Sequence, residues 1–103
     1  MQLVINSSNV CRLDSLRDSD TNELIDDATV TLTIYDSEGD PILGTIWPVS
    51  MPNKGDGVYQ VTLDHRLILE RGRNYRGVVT AVDPTDRQAV WELELKASAD
   101  KVF

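Results

Sequence analysis

Residues 29–35 read TVTLTIY, and Val30, Leu32 and Ile34 alternate with Thr29, Thr31 and Thr33. A period of two places the aliphatic side chains on one face of an extended chain, whereas a helix would scatter them around its axis. Five of these seven residues are β-branched, which suits a pleated, half-buried surface. The pattern returns in VYQVTLD, where Tyr59, Val61 and Leu63 share a face opposite Gln60, Thr62 and Asp64. It returns again in VWELELKA, which turns Trp91, Leu93, Leu95 and Ala97 inward and Glu92, Glu94 and Lys96 outward. In NYRGVVTAVD, Tyr75, Val79 and Ala81 oppose Arg76, Val78, Thr80 and Val82, so both faces are partly apolar, as in a central strand. Weaker strand patterns cover residues 2–5, 10–16 and 41–49, and HRLILERG has room for a single helical turn at most.

Turn chemistry separates these runs. DSEGDP closes the strand ending near Asp36, PNKGDG precedes the Tyr59 strand, and Pro84 in DPTD takes the second position of a type I turn, making residues 75–97 a hairpin. Pro48 and Pro52 cannot donate to a ladder, which puts residues 41–52 at a sheet edge or in a bulged segment. A chain of 103 residues with 41% hydrophobic and 26% charged residues supports one core. The expectation is an all-β protein, a β-sandwich of about seven antiparallel strands forming a single domain over residues 1–103.

No apolar run reaches the roughly 18–20 residues needed to cross a bilayer, and MQLVINSSNV has neither the basic segment nor the apolar stretch of a secretory leader. The single cysteine, Cys11, alternates with Leu13 and reads as a small buried apolar residue in a chain made in a reducing compartment. Charge is uneven. Residues 1–40 carry nine carboxylates against Arg12 and Arg17, while Arg66, Arg71, Arg73 and Arg76 face only Glu70 within residues 66–76. A net charge of −7 disfavours direct contact with nucleic acid or an anionic membrane.

Catalytic chemistry has little to work with. The one histidine, His65, follows Asp64, and neighbours in an extended chain face opposite sides unless the strand has ended. No nucleophile–base motif or paired cysteine ligands occur, so the chain reads as a non-enzyme without a cofactor or small-molecule substrate. Asp18, Asp20 and Asn22 in DSDTN have calcium-like spacing, with Asp83 and Asp86 as further oxygens if DPTD lies near. The glycine and closing glutamate of a calcium loop are missing, and solvated turn acids are the default reading. Asp56 between Gly55 and Gly57 would repel an anion, so that turn is no phosphate cradle. Trp47 before Pro48 either fills the core or, at an exposed edge, anchors an interface.

In LERGRNY, Leu69, Gly72 and Tyr75 stand three residues apart just before an alternating strand. This resembles the tyrosine corner of immunoglobulin-like and fibronectin type III sandwiches, in which a tyrosine hydroxyl bonds backbone upstream. A wider resemblance runs from SLRDSDTNELIDDATVTLTIYDSEGDPI through Gly57-Val58-Tyr59 and Leu69–Tyr75 to Trp91. It is to small Ig-like structural proteins encoded among the head and tail genes of tailed bacteriophages and prophages. The resemblance implies a non-enzymatic virion component of the head–tail neck, tail, baseplate or capsid surface, made in the host bacterial cytoplasm and partnered by other virion proteins and its own copies. The alternative is an adhesin- or fibronectin-like module binding carbohydrate or protein at a cell surface. Two stretches depart from the family pattern: the strongly acidic RDSDTNELIDD, and residues 41–52 with Ile46-Trp47-Pro48. Under the assembly reading, Arg66, Arg71, Arg73 and Arg76 of one copy face the acidic 14–27 segment of the next, including Asp18, Asp20, Asp26 and Asp27.

Overall fold

The computed structural model describes residues 2–4 and 8–98 of the chain. Eight strands appear in the order β1 (Gln2–Val4), β2 (Asn9–Leu13), β3 (Thr29–Tyr35), β4 (Val49–Ser50), β5 (Asn53–Gly55), β6 (Val58–Leu63), β7 (Asn74–Val82) and β8 (Gln88–Ser98). They form a five-stranded sheet, β1-β8-β7-β3-β4, and a three-stranded sheet, β2-β6-β5, with no helix among the described residues. The expected all-β sandwich is the architecture of the protein. Neighbouring strands are antiparallel throughout except for β1, which lies parallel to the end of β8 with Leu3 opposite Ala97.

The alternating strands build the core as their periodicity requires. Val30, Leu32 and Ile34 of β3 are buried, as are Tyr75, Val79 and Ala81 of β7 and Leu95 and Ala97 of β8. They face Cys11 of β2 and Tyr59 and Leu63 of β6, with Met51, Ile42 and Leu67 closing the cluster from the connecting segments. Each fully buried aliphatic side chain contributes about 1.5–3 kcal/mol relative to exposure. β7 is the central strand, flanked by β3 in register from Tyr35↔Arg76 to Thr29↔Val82 and by β8 from Asn74↔Lys96 to Val82↔Gln88.

Several expectations need correction. Leu93 has the inward parity of Trp91 and Leu95 but is exposed. Within residues 41–49, pairing is confined to an isolated bridge from Pro41 to Tyr35 and to Val49, with Ser50 beside it; residues 42–48 are irregular and contain a cis Trp47–Pro48 bond. PNKGDG, read as turn alone, includes the short strand β5. Residues 65–66 form a turn, not a helical one. Ile5, the last position of the expected first strand, lies outside the described residues.

Candidate functional site at the two poles

β7 sets the layout. Its Asn74 end receives the arginine-rich connection from β6, and its Val82 end opens into the Asp83–Arg87 turn. The antiparallel register carries residues 12–27, 53–57 and 83–87 to the Val82 end, and residues 36–40, 64–76 and 94–96 to the opposite end.

The Val82 end is built around a small hairpin. Leu16 and Ile25 bond through backbone at 2.8 Å, Asp18 N–H donates to the Glu23 carbonyl at 2.8 Å, and an antiparallel bridge joins Arg17 to Leu24. Arg87 ties this hairpin to the β7–β8 turn. Its Nη2 lies 2.6 Å from Asp18 Oδ2, its Nε 2.6 Å from Asp83 Oδ2, and its Nη1 3.6 Å from Asp20. Asp83 is only 8% exposed, and its other oxygen accepts from the Thr85 N–H and hydroxyl and from the Arg87 N–H. The Arg87 guanidinium, followed by the Asp20 N–H, holds the Asp18 carboxyl well below the usual range. Desolvation pushes the Asp83 carboxyl upward, but its bonds to Arg87 and Thr85 together outweigh this and leave it lowered. The same carboxylates raise the Arg87 pKa.

The calcium-spaced residues therefore have internal work. Asp18 Oδ1 accepts from the Asp20 and Thr21 N–H groups, its other oxygen serves Arg87, and the Asn22 carbonyl accepts from Arg17 Nη1 at 2.9 Å. A guanidinium sits where these acids converge. Asp26 is likewise structural: it accepts from the Gly57 N–H at 2.7 Å and Asn53 Nδ2 at 3.0 Å, which lower its pKa in that order. Asp20 and Asp27 are exposed. Altogether residues 12–27, 53–57 and 83–87 hold nine carboxylates and four basic side chains.

At the other end the corner has the expected form. The Tyr75 hydroxyl accepts from the Glu70 N–H at 2.8 Å, Gly72 takes a positive φ of 77°, and half-buried Leu69 packs on the core. The arginines do not make this end a basic pole: Asp36, Glu38 and Glu94 line one cavity with Arg76 and Lys96, and Asp40 sits in the same turn as Asp36. Arg73 pairs with Glu70 at 2.9 Å, and Arg66 Nε lies 3.8 Å from Asp64. Arg76 stacks 5.3 Å from the Tyr35 ring centroid and lies 4.0 Å from Glu92. Arg71 is exposed and makes no ion pair among the described residues.

Trp47 is half-buried, packs on the core and donates its indole N–H to the Ile42 carbonyl at 2.7 Å, the core-filling arrangement. β6 ends at Leu63, which frees His65 to approach Asp64 at 3.4 Å on an exposed turn. Cys11 is buried, and desolvation raises its thiol pKa against the lowering effect of a backbone bond at Arg12.

Sequence reading missed three features. Arg87 drew no attention because its partner Asp18 is 69 residues away. The DSEGD turn gathers the carboxylates of Asp36, Glu38 and Asp40 within 4.8 Å of one another, with Asp36 Oδ1 accepting from the Glu38 and Asp40 N–H groups. An open cavity of about 210 Å³ lies between the acidic hairpin and the β7–β8 hairpin, with Leu16, Ile25, Ala28, Ala81, Ala89 and Trp91 on its apolar side and Arg17, Asp18, Asp83 and Arg87 on its charged side. No protein-family model matches the chain, and no curated protein matches it in sequence.

Proposed function

We propose that this chain is a non-enzymatic structural protein of a tailed-bacteriophage or prophage virion, placed at the head–tail neck, the tail or baseplate, or the capsid surface, and working through subunit–subunit contacts. The observation that carries the reading is the polar layout. An end with nine carboxylates and four basic side chains stands a full strand length from an end where five basic side chains accompany six carboxylates. Heterologous contact between unlike ends generates rings or stacks, the assemblies that virion components form.

The family resemblance from Leu16 to Trp91 supports the virion setting, and the tyrosine corner it anticipates is in place. On this reading the chain is made in the host cytoplasm, is incorporated into particles, and recognises other virion proteins and its own copies by shape and charge. Purified particles from a host carrying the gene, analysed by mass spectrometry and electron microscopy, should contain the chain at a fixed stoichiometry and symmetry. Its absence from particles overturns the proposal.

A further inference from the structure

Asp56 and Gly57 form the two-residue loop between β5 and β6, with Gly55 paired to Val58 across it. Both have positive φ, 53° and 71°, the sign pattern of a type I′ hairpin turn, which Asp-Gly and Asn-Gly satisfy best. Glycine is required at the second position, because a Cβ on Gly57 would lie 2.9 Å from the Leu16 carbonyl oxygen. The turn therefore selects a pair of residues whose junction is chemically labile. A glycine has no side chain to shield its nitrogen, and that nitrogen can attack the side chain of a preceding aspartate. Asp56-Gly57 is the one Asp-Gly pair in the chain, which has no Asn-Gly.

In the fold the attacking nitrogen is already engaged. The Gly57 N–H donates to Asp26 Oδ1 at 2.7 Å, and the Gly57 carbonyl accepts from the Leu16 N–H at 2.9 Å. Asn53 Nδ2 donates to the same Asp26 oxygen at 3.0 Å and steadies the carboxylate. Cyclisation requires the Gly57 nitrogen to give up its proton. A carboxylate acceptor opposes that by its charge as well as by the hydrogen bond. Asp56 is exposed and Gly57 is buried, so water reaches the carboxyl while the nucleophile is shut in.

We infer that Asp56-Gly57 is a site of spontaneous isoaspartate formation, kept closed in the folded chain by the Asp26 carboxylate. In the reaction the Gly57 nitrogen loses its proton and bonds to Asp56 Cγ, whose hydroxyl leaves as water, and a five-membered succinimide results. Water then adds to one imide carbonyl. Opening at Cγ restores aspartate, whereas opening at the main-chain carbonyl routes the backbone through Asp56 Cβ and Cγ. Mass is unchanged overall, and no oxidant or cofactor takes part. The added backbone atom displaces Gly57 from Asp26 and from Leu16, so conversion loosens residues 16–26 from the smaller sheet.

Ageing of the purified protein tests this, with isoaspartate counted by enzymatic methyl transfer and located by peptide mapping. Folded wild type should form it slowly at residue 56, and the same chain in denaturant much faster. Asp26→Ala should raise the folded rate at least about tenfold, the ratio for losing one hydrogen bond to a charged acceptor. Asp56→Glu in the Asp26→Ala chain should abolish the product, since closure to a six-membered ring is slow. Gly72→Ala, which weakens the opposite end and leaves the tether intact, should age as wild type does. Equal folded rates for Asp26→Ala and wild type, a Gly72→Ala rate matching that of Asp26→Ala, or isoaspartate arising elsewhere in place of residue 56 overturns the inference. If Asp26→Ala fails to fold, amide exchange of the wild type decides. A Gly57 N–H that exchanges as slowly as the β6 ladder supports the tether, and one as fast as an open loop removes it.

Discussion

The Tyr59 hydroxyl donates to the Ile25 carbonyl at 2.7 Å and accepts from the Ala28 N–H at 3.2 Å, pinning the base of the acidic hairpin to the middle of the smaller sheet. Its ring is among the most buried side chains, so both bonds are made where water cannot replace them. Tyr59→Phe should lower stability by about 1–3 kcal/mol, and hydrogen exchange should accelerate across residues 25–28 more than in β7. Chemical denaturation with exchange mass spectrometry reads both.

Two glycines with positive φ should respond differently to alanine. Gly72 has open space around the added methyl group, so Gly72→Ala should cost about 1–2 kcal/mol from the left-handed backbone alone. At Gly44 the methyl group would meet the Arg66 carbonyl and the Leu67 Cα at 2.3 and 2.7 Å, both backbone atoms. Gly44→Ala should therefore fall below Gly72→Ala in thermal melts.

Acid should weaken the Val82 end first. Asp18, Asp26 and Asp83 all have lowered pKa values in the fold. Their contribution is complete above the unfolded carboxyl pKa of about 3.9 and is lost as pH falls through the folded values. Melting temperature should hold from neutral pH down to about 4 and drop below it. Arg87→Met should melt lower at pH 7, and its deficit should shrink in acid as Asp18 and Asp83 protonate.

Cys11 should resist thiol reagents in the native protein, because its sulfur is buried and its thiolate disfavoured. Labelling with a chromogenic disulfide should track unfolding and proceed rapidly only in denaturant. Fast labelling of the folded chain would contradict this burial.

Arg66→Glu with Arg71→Glu should leave stability within about 0.5 kcal/mol, since both side chains are exposed. The same pair should weaken self-association at low salt. Unchanged sedimentation would remove these arginines from the contact.

Strands β3, β6, β7 and β8 were legible because their inner faces repeat every second residue, a signal local to each run. The corner was legible for a similar reason, since Leu69, Gly72 and Tyr75 lie within seven residues. Contacts set by tertiary arrangement left no such trace. The Arg87–Asp18 pair and the Tyr59–Ile25 bond join segments far apart in the chain. The arginines stood against Glu70 alone in sequence, because sequence order cannot reveal that Asp36, Glu38 and Glu94 fold in beside Arg76. Trp47 was ambiguous in sequence, since only the irregular path of residues 42–48 turns its indole toward the Ile42 carbonyl.

β7 has a mechanical consequence as well. Its ladders with β3 and β8 run nearly its whole length, and it joins the arginine end directly to the acidic end. Interstrand hydrogen bonds lie perpendicular to the strands, so a pull between the two ends shears both ladders at once and cannot unzip them one bond at a time. In an end-to-end chain of copies, tension would pass through the stiffest direction of the fold, and the joints between copies would yield before the subunits do.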